Sequence, residues 1–381
     1  MTVEPLGIYV HVPFCDVACR YCNFFFVVRR PDLYEGYVGA VRAELARWAS
    51  DPRVEGRPVE SVFLGGGTPS ALSGAQVAAI LGDARRLYAV AADCEVTLEA
   101  NPGSLHDAKL AEFREAGVNR LSIGVQSFHD DELRMIWRTH KADEAERSVL
   151  AARRAGFGNL NVDLMFAIPR QTMERWEATL TRACGLGVEH VSTYCLTIEE
   201  GTPLARHVAA GQVPRAAEEV EREMYLRAIE RLEAAGYPQY EISNFAREGR
   251  QSRHNLACWR RGEYLGIGPG AHGFLDPERW SNLRDVPEYT RRMAAGEDVR
   301  EMRETLTPEQ ARLEALWLGL RTTRGLDLGG FRVRFGEDLR ETRGGVIEEV
   351  AAAGQGRVEE ERLVLTPAGR ALADEITRRL I

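Results

Sequence analysis

Cys15, Cys19 and Cys22 fall within eight residues, spaced C-x3-C-x2-C, directly after the apolar run Gly7 to His11. Thiolates are soft ligands suited to Fe–S clusters or zinc. A structural zinc wants four protein ligands, and a [4Fe–4S] cluster held wholly by protein wants a fourth cysteine. Nearby, only His11 is on offer. Three ligands on a cluster leave one iron free to coordinate a substrate or cofactor. Buried structural cysteines, or a zinc site completed by His11, are the alternatives that the residues leave open. Seven cysteines is an odd number, and three packed this closely make a poor disulfide framework, so the chain expects a reducing compartment.

The second chemical feature is Gly65-Gly66-Gly67-Thr68-Pro69, which ends the run Ser61 to Leu64. Glycines at a strand end let the backbone approach a ligand closely, and free carbonyls there can accept from an ammonium group. Alone, such a run marks a tight turn. One βα unit after the cysteines, it becomes more informative.

These motifs need strands and helices to position them. Short β-branched or apolar runs alternate with amphipathic helical stretches to about residue 245, the pattern of βα units and a parallel sheet. Strand candidates after the first two are Glu95 to Ala100, Arg120 to Gly124, Leu160 to Met165 and Val191 to Cys195. Ser73 with Gln76 forms a capping box ahead of a helix with Val77, Ile80, Ala84 and Leu87 on one face. The fold class is therefore α/β, an incomplete (β/α)6 TIM-like barrel with the cysteine and glycine motifs at the C-terminal strand ends, where such barrels carry their chemistry. A helix from Glu218 to Ala235 stops at Gly236. The expected division is a barrel over 1–245, a loop-rich connecting segment over 246–304, and a small winged-helix-like domain over 305–381. In that last part a β-hairpin lies around Arg357 to Leu365, and Thr366 caps a final helix with Leu372, Ile376 and Leu380 on one face.

An apolar fraction of 44% and a charged fraction of 28% over 381 residues describe a globular protein. No stretch approaches the ~18 apolar residues of a membrane span, and Met1 to Gly7 lacks the features of a secretion signal, so the expected location is the cytoplasm. A net charge of −8 argues against coating nucleic acid, and the twelve arginines of 305–381 are offset by thirteen acids. Packing or partner contact is the expected role of that module.

The C-x3-C-x2-C spacing is the signature of the radical S-adenosylmethionine (SAM) superfamily. That resemblance implies a [4Fe–4S] cluster on Cys15, Cys19 and Cys22 whose open iron takes SAM, and reductive cleavage to methionine and a 5′-deoxyadenosyl radical. Tyr21, inside the loop, then packs over the cluster or the adenine. The resemblance sharpens at Ile8 to Cys15, Gly65 to Pro69, Glu99-Ala100-Asn101-Pro102, Gly124-Val125-Gln126-Ser127-Phe128, and Asp163 before Pro169. Together these resemble the oxygen-independent coproporphyrinogen III oxidase family over nearly the whole chain. By position, the family's SAM contacts map onto Tyr9, Gly66, Gly67, Thr68, Glu99, Gln126, Arg138 and Asp163. Glu99 and Asp163 can accept from ribose hydroxyls or the ammonium, and Arg138 can pair with the carboxylate. The sequence departs from the family pattern where Trp137 precedes Arg138 and where Arg170 follows Pro169, positions at which glycine is usual.

Within the family, the oxidase branch carries a further cysteine two residues after the third and a longer N-terminal region. Here Asn23-Phe24 follows Cys22, and fourteen residues precede Cys15. Both features are similar instead to the haem chaperone (HemW-type) branch, whose H-N-x-x-x-W motif is matched by His254-Asn255-Leu256-Ala257-Cys258-Trp259. An imidazole can ligate haem iron and an indole can stack on the macrocycle, with Cys258 a second conceivable ligand. The bland alternative is that His254 and Trp259 pack a loop covering the barrel. The resemblance thus implies haem as cargo for an acceptor haemoprotein, an electron donor if the cluster is reduced, and a monomer or homodimer. The alternative function is oxidative decarboxylation of coproporphyrinogen III.

Overall fold

The computed structural model describes residues 4–381. Six strands run parallel in chain order: β1 (Leu6–Val12), β2 (Pro58–Gly66), β3 (Ala89–Ala100), β4 (Arg120–Gln126), β5 (Leu160–Phe166) and β6 (His190–Cys195). Their register, including Val12↔Gly66, Leu64↔Leu98, Ala100↔Ile123 and Met165↔Tyr194, brings the C-terminal ends of all six to one side.

Alternation explains how each strand serves two layers. In β1 the even positions Leu6, Ile8, Val10 and Val12 are buried in the main apolar core. The odd positions face the concave side, where the Tyr9 ring lies 6.2 Å from Phe63 of β2. The concave side is polar: Glu95, Thr97, Arg120, Ser122, Asn161, His190 and Ser192 are all buried.

The sheet does not close on itself by hydrogen bonds. The free edge of β1 takes the parallel strand Tyr264–Ile267, and that of β6 takes the antiparallel strand Asn244–Ala246, giving one curved sheet of twelve strands. Residues 246–304, read from sequence as loop-rich, carry the helix Arg253–Trp259, the helix Val286–Ala294 and a four-strand meander from Tyr264 to Thr305. Those strands are only four to six residues long, too short for a clear alternation.

The capping box forms as expected: the Gln76 amide donates to Ser73 Oγ at 3.2 Å and Gln76 Oε1 accepts from the Ser73 amide at 3.0 Å. The C-terminal part builds its own core from Leu316, Leu320, Phe331, Ile347, Leu363, Ile376 and Leu380. A three-stranded antiparallel sheet, ordered Leu326–Asp327, Arg362–Leu365, Gly356–Glu359, supplies the wing. The single final helix expected from sequence is two, Pro367–Arg370 and Ala373–Leu380, because Leu372 leaves helical geometry at φ −119°, ψ 21°. Among the described residues, no helix is long and apolar enough to cross a membrane.

Candidate functional site

The cysteine loop is pinned at both ends. Phe14–Cys15 pairs in parallel with Val27–Val28, and the Arg29 amide donates to the Cys15 carbonyl at 3.0 Å. In its middle the Arg20 carbonyl accepts from the Leu204 amide at 3.0 Å, and the Arg20 guanidinium stacks 4.5 Å above the Trp137 ring. Cys15, Cys19 and Cys22 thereby line one side of a cavity of about 390 Å³. The strand ends supply the rest: Gly66, Gly67 and Thr68 after β2, Glu99 and Asn101 at β3, Gly124 and Gln126 on β4, Asp163 and Met165 on β5, and Tyr194 on β6. Tyr21 and Arg138 complete it.

A chain of hydrogen bonds joins two of the thiols. Thr68 Oγ1 donates to Cys15 Sγ at 3.6 Å, Asn101 Nδ2 donates to Thr68 Oγ1 at 3.0 Å, Arg138 Nη2 donates to Asn101 Oδ1 at 2.6 Å, and Arg138 Nη1 reaches Cys19 Sγ at 3.7 Å. Arg138 is fixed further by the Gly124 carbonyl at 2.7 Å. Donors aimed at sulfur suit thiolates that carry charge into a metal group. Burial, with a smaller push from the neighbouring thiols, raises the Cys15 thiol to about 11 and raises Cys22 as well, so both want a cation to ionise against.

His11 does not supply a fourth ligand. Its Nδ1 pairs with the Tyr9 hydroxyl at 3.0 Å and its Nε2 with the Phe25 carbonyl at 2.9 Å, so both ring nitrogens are engaged. Among the described residues, no three His, Cys, Asp or Glu side chains converge on a single ion. The zinc alternative therefore lacks its ligand set. Three thiols spread along an open cavity fit a cluster, whose irons are bound one thiolate each, and leave a face for a small ligand.

Backbone geometry explains the glycines. Gly66 sits at φ +110°, and a Cβ there would lie 2.5 Å from the His11 ring. A Cβ on Gly67 would lie 2.9 Å from the carbonyl oxygens of Val12 and Phe14, which cannot yield as a side chain can. Glu99 Oε2 accepts from the Gly66 amide at 3.0 Å. Burial, followed by the nearby charge of Asp163, raises the Glu99 carboxyl to about 8. Asp163 is also raised by burial, although it accepts from Ser122 Oγ at 3.1 Å and Asn161 Nδ2 at 2.8 Å. Two carboxyls that repel each other beside a cavity are poised to receive a cation. Gln126, in the left-handed region at φ +67°, leaves its Oε1 buried without a partner, an acceptor awaiting a donor.

The two departures from the family's glycines now have a physical account. The amides of Trp137 and Arg138 donate to the Arg134 and Leu133 carbonyls, a Schellman motif that ends the helix Asp130–Met135 and holds Trp137 at φ +60°. Arg170 lies at φ +70° in the turn that the Gln171 amide closes onto Ile168. Both are glycine conformations occupied by larger residues, and the register around Arg138 is intact.

Tyr9 is not brought to the cavity; it supports His11 from behind. Asn101, quoted in a motif but without a role, and Tyr194, without a sequence signal, are both there. The H-N-x-x-x-W segment lies elsewhere. His254 is buried at the opposite strand ends, its Nδ1 3.1 Å from Ser61 Oγ and its ring 5.2 Å from Phe63. Its imidazole is lowered to about 4 by burial. Trp259 lines a separate cleft beneath the barrel, together with Leu256 and part of the C-terminal module. Cys258, raised to about 11 by burial, does not line that cleft.

Comparison with known proteins bears on the chain as a whole. The Radical SAM superfamily model matches residues 9–183 and the HemN C-terminal domain model matches residues 306–372. The heme chaperone HemW of Bacillus subtilis is 37% identical over 97% of each chain, and that of Mycobacterium tuberculosis 36% identical over 100% of this chain and 96% of the other. The mouse mitochondrial radical S-adenosyl methionine domain-containing protein 1 is 43% identical over 85% of this chain and 70% of its own. The solved structure of the Escherichia coli coproporphyrinogen III oxidase HemN superposes with a TM-score of 0.85 at 23% identity, covering 99% and 90%, a likeness of fold. The cysteine-lined cavity and the full-length identity to these relatives place the chain in the radical SAM superfamily and, within it, in the HemW family.

Proposed function

We propose that this protein is a cytoplasmic haem chaperone that binds haem and delivers it to an acceptor haemoprotein, with a SAM-bound [4Fe–4S] cluster as its resident cofactor. The observation that carries the chaperone over the decarboxylase is identity of 36 to 37% along essentially the whole chain to proteins named for that role. Cys15, Cys19 and Cys22 hold the cluster, and Gly66, Gly67 and Thr68 shape the approach to its open face. Arg138 pairs with the SAM carboxylate, Glu99 and Asp163 accept from the ammonium or the ribose, Gln126 accepts through its free Oε1, and Tyr21 covers the site. When bound, the cluster and SAM supply one-electron chemistry, for which an electron donor would be needed. Haem is assigned to the segment His254, Asn255 and Trp259, of which Trp259 faces the cleft while His254 lies behind it on Ser61.

Anaerobic haem titration of the cluster-loaded protein, beside His254→Ala, tests this. Saturable binding near one haem per chain is expected. Absence of specific binding, with carbon dioxide released from coproporphyrinogen III, would instead establish the decarboxylase.

A further inference from the structure

The cleft lined by Trp259 lies at the N-terminal strand ends, between the helix Arg253–Trp259 and the C-terminal module. Its volume of about 670 Å³ falls in the ~300–1,000 Å³ range of cofactor-sized sites. Its charge is unlike that of the chain. Arg260, Arg261, Arg324, Arg334 and Arg362 line it against one acid, Asp327, in a protein whose net charge is −8.

These arginines are not equivalent. Arg261 and Arg334 pair with Asp276 at 3.1 and 2.9 Å, and Arg362 with Asp327 at 3.1 Å. Arg260 and Arg324, among the described residues, make no ion pair and no side-chain hydrogen bond. They nonetheless line the same cleft, and the Arg260 guanidinium is lowered from its ordinary value by partial burial and then by the charges of Arg324 and Arg362. Gathering like charges without counter-ions costs free energy, and an anion between them returns it. Beside the charges the cleft has an apolar side, with Leu256, Trp259, Leu318 and Leu326 on its walls, and neutral polar groups from Gln239, Gln251, Thr322 and Thr323. A flat apolar body carrying carboxylates matches both halves, since guanidinium forks bind carboxylates bidentately and indoles stack on planar rings.

We infer that this cleft is the cargo site, with the haem macrocycle against Trp259 and its carboxylates on Arg260 and Arg324. The inference rests on the haem reading above and adds to it a place and a set of anchors. It also makes the C-terminal module part of the binding site, because Arg324 and Arg362 come from that module. The cargo is then separated from the cofactor: β2 runs from Ser61, which holds His254, to Gly66 beside the cysteines, five residues or about 17 Å at ~3.3 Å per residue.

The test is a haem titration of the cluster-loaded full chain, with haem and with its dimethyl ester, against wild type and Arg260→Ala/Arg324→Ala. Both arginines are exposed, so far-UV circular dichroism and Tm should match wild type. Haem Kd is expected to rise about tenfold or more in the variant, each tenfold being ~1.4 kcal/mol. Wild type should bind the ester as weakly as the variant binds haem, and the variant should bind both alike, since ester and variant delete the same contact. Tight haem binding by wild type that neither change weakens would move the cargo elsewhere and overturn the inference while leaving the chaperone standing. Failure of wild type to bind haem at all would overturn both.

Discussion

Asn101 is the middle link of the chain that joins Cys15 to Cys19, and Asn101→Ala removes both of its bonds. The bond from Arg138 Nη2, 2.6 Å long, is charge-assisted, worth ~1.5–3 kcal/mol; the 3.0 Å bond to Thr68 Oγ1 is neutral, worth ~0.5–1.5 kcal/mol. Their sum, about 2–4.5 kcal/mol, is the expected loss of stability in the cofactor-free protein. Arg138 retains the Gly124 carbonyl and Cys19 Sγ, so it stays in the site but loses one of three constraints on its orientation. A misaligned guanidinium forfeits bidentate pairing, and SAM affinity should fall about tenfold. Asn101→Asp divides the effects. It keeps an acceptor for Arg138 but cannot donate to Thr68 Oγ1, so stability should fall only by the ~0.5–1.5 kcal/mol of that neutral bond, while the guanidinium is satisfied by an internal carboxylate and SAM affinity should still fall. Denaturant unfolding, iron per chain after reconstitution, and anaerobic SAM titration give the three readouts. SAM affinity within twofold of wild type in both variants, with iron content unchanged, would refute the idea that this chain aims Arg138 at the ligand.

Cys19→Ala should abolish the cluster's visible absorbance and SAM binding together; survival of either would remove the three-cysteine site. Arg170→Gly should stabilise the protein by about 1 kcal/mol, because φ +70° after Pro169 suits glycine and no side-chain bond of Arg170 is lost; a lower Tm would contradict this. Glu44 accepts from the Gly268 amide at 2.7 Å, Asn282 Nδ2 at 2.8 Å and the Tyr289 hydroxyl at 2.7 Å, so Glu44→Ala should cost about 3 kcal/mol or more, measured by urea unfolding. Burial raises the Glu44 carboxyl from 4.5 to about 7, so its contribution is fully present below pH 4.5 and is lost, by about 3 kcal/mol, as pH rises through 7. Glu44→Gln should remove that part of the pH slope.

What could be read in advance was whatever is local in the chain. The cysteine spacing, the glycine run, the Ser73 capping box and the six apolar runs each sit within a dozen residues, and each stands where its pattern implied. The hydrogen-bonded chain was not legible because its members, Cys15, Thr68, Asn101 and Arg138, come from four separate segments. The same holds for the cleft: Arg260, Arg324 and Arg362 are more than a hundred residues apart end to end, and a charge count over 305–381 averaged their signal away. Trp137 and Arg170 stand at positions where the family usually has glycine. They are larger residues held in glycine-like conformations by a helix-ending motif and a tight turn.

The helix Arg253–Trp259 has two faces with different duties. Ser252 Oγ accepts from the Asn255 amide at 3.3 Å, and Glu95 accepts from the Arg253 amide at 3.1 Å, an anion at a helix N-terminus. Those contacts, with His254 on Ser61, plug the barrel where its lining is most polar and would otherwise admit water. His190 continues the plug, bonded to Asn161 Oδ1 at 2.6 Å and the Tyr240 hydroxyl at 2.8 Å. Because a half-satisfied buried network is costly, this inner face has strong reason to stay fixed. The outer face carries Trp259 into the cleft. A ligand there can reach the cofactor cavity only through the helix and the polar lining behind it, so any effect of SAM on haem affinity must appear as a coupling free energy and must be reciprocal. Haem titrations with and without SAM, and SAM titrations with and without haem, should therefore give equal ratios of Kd; unequal ratios at equilibrium would mean that one of the two ligands also binds elsewhere.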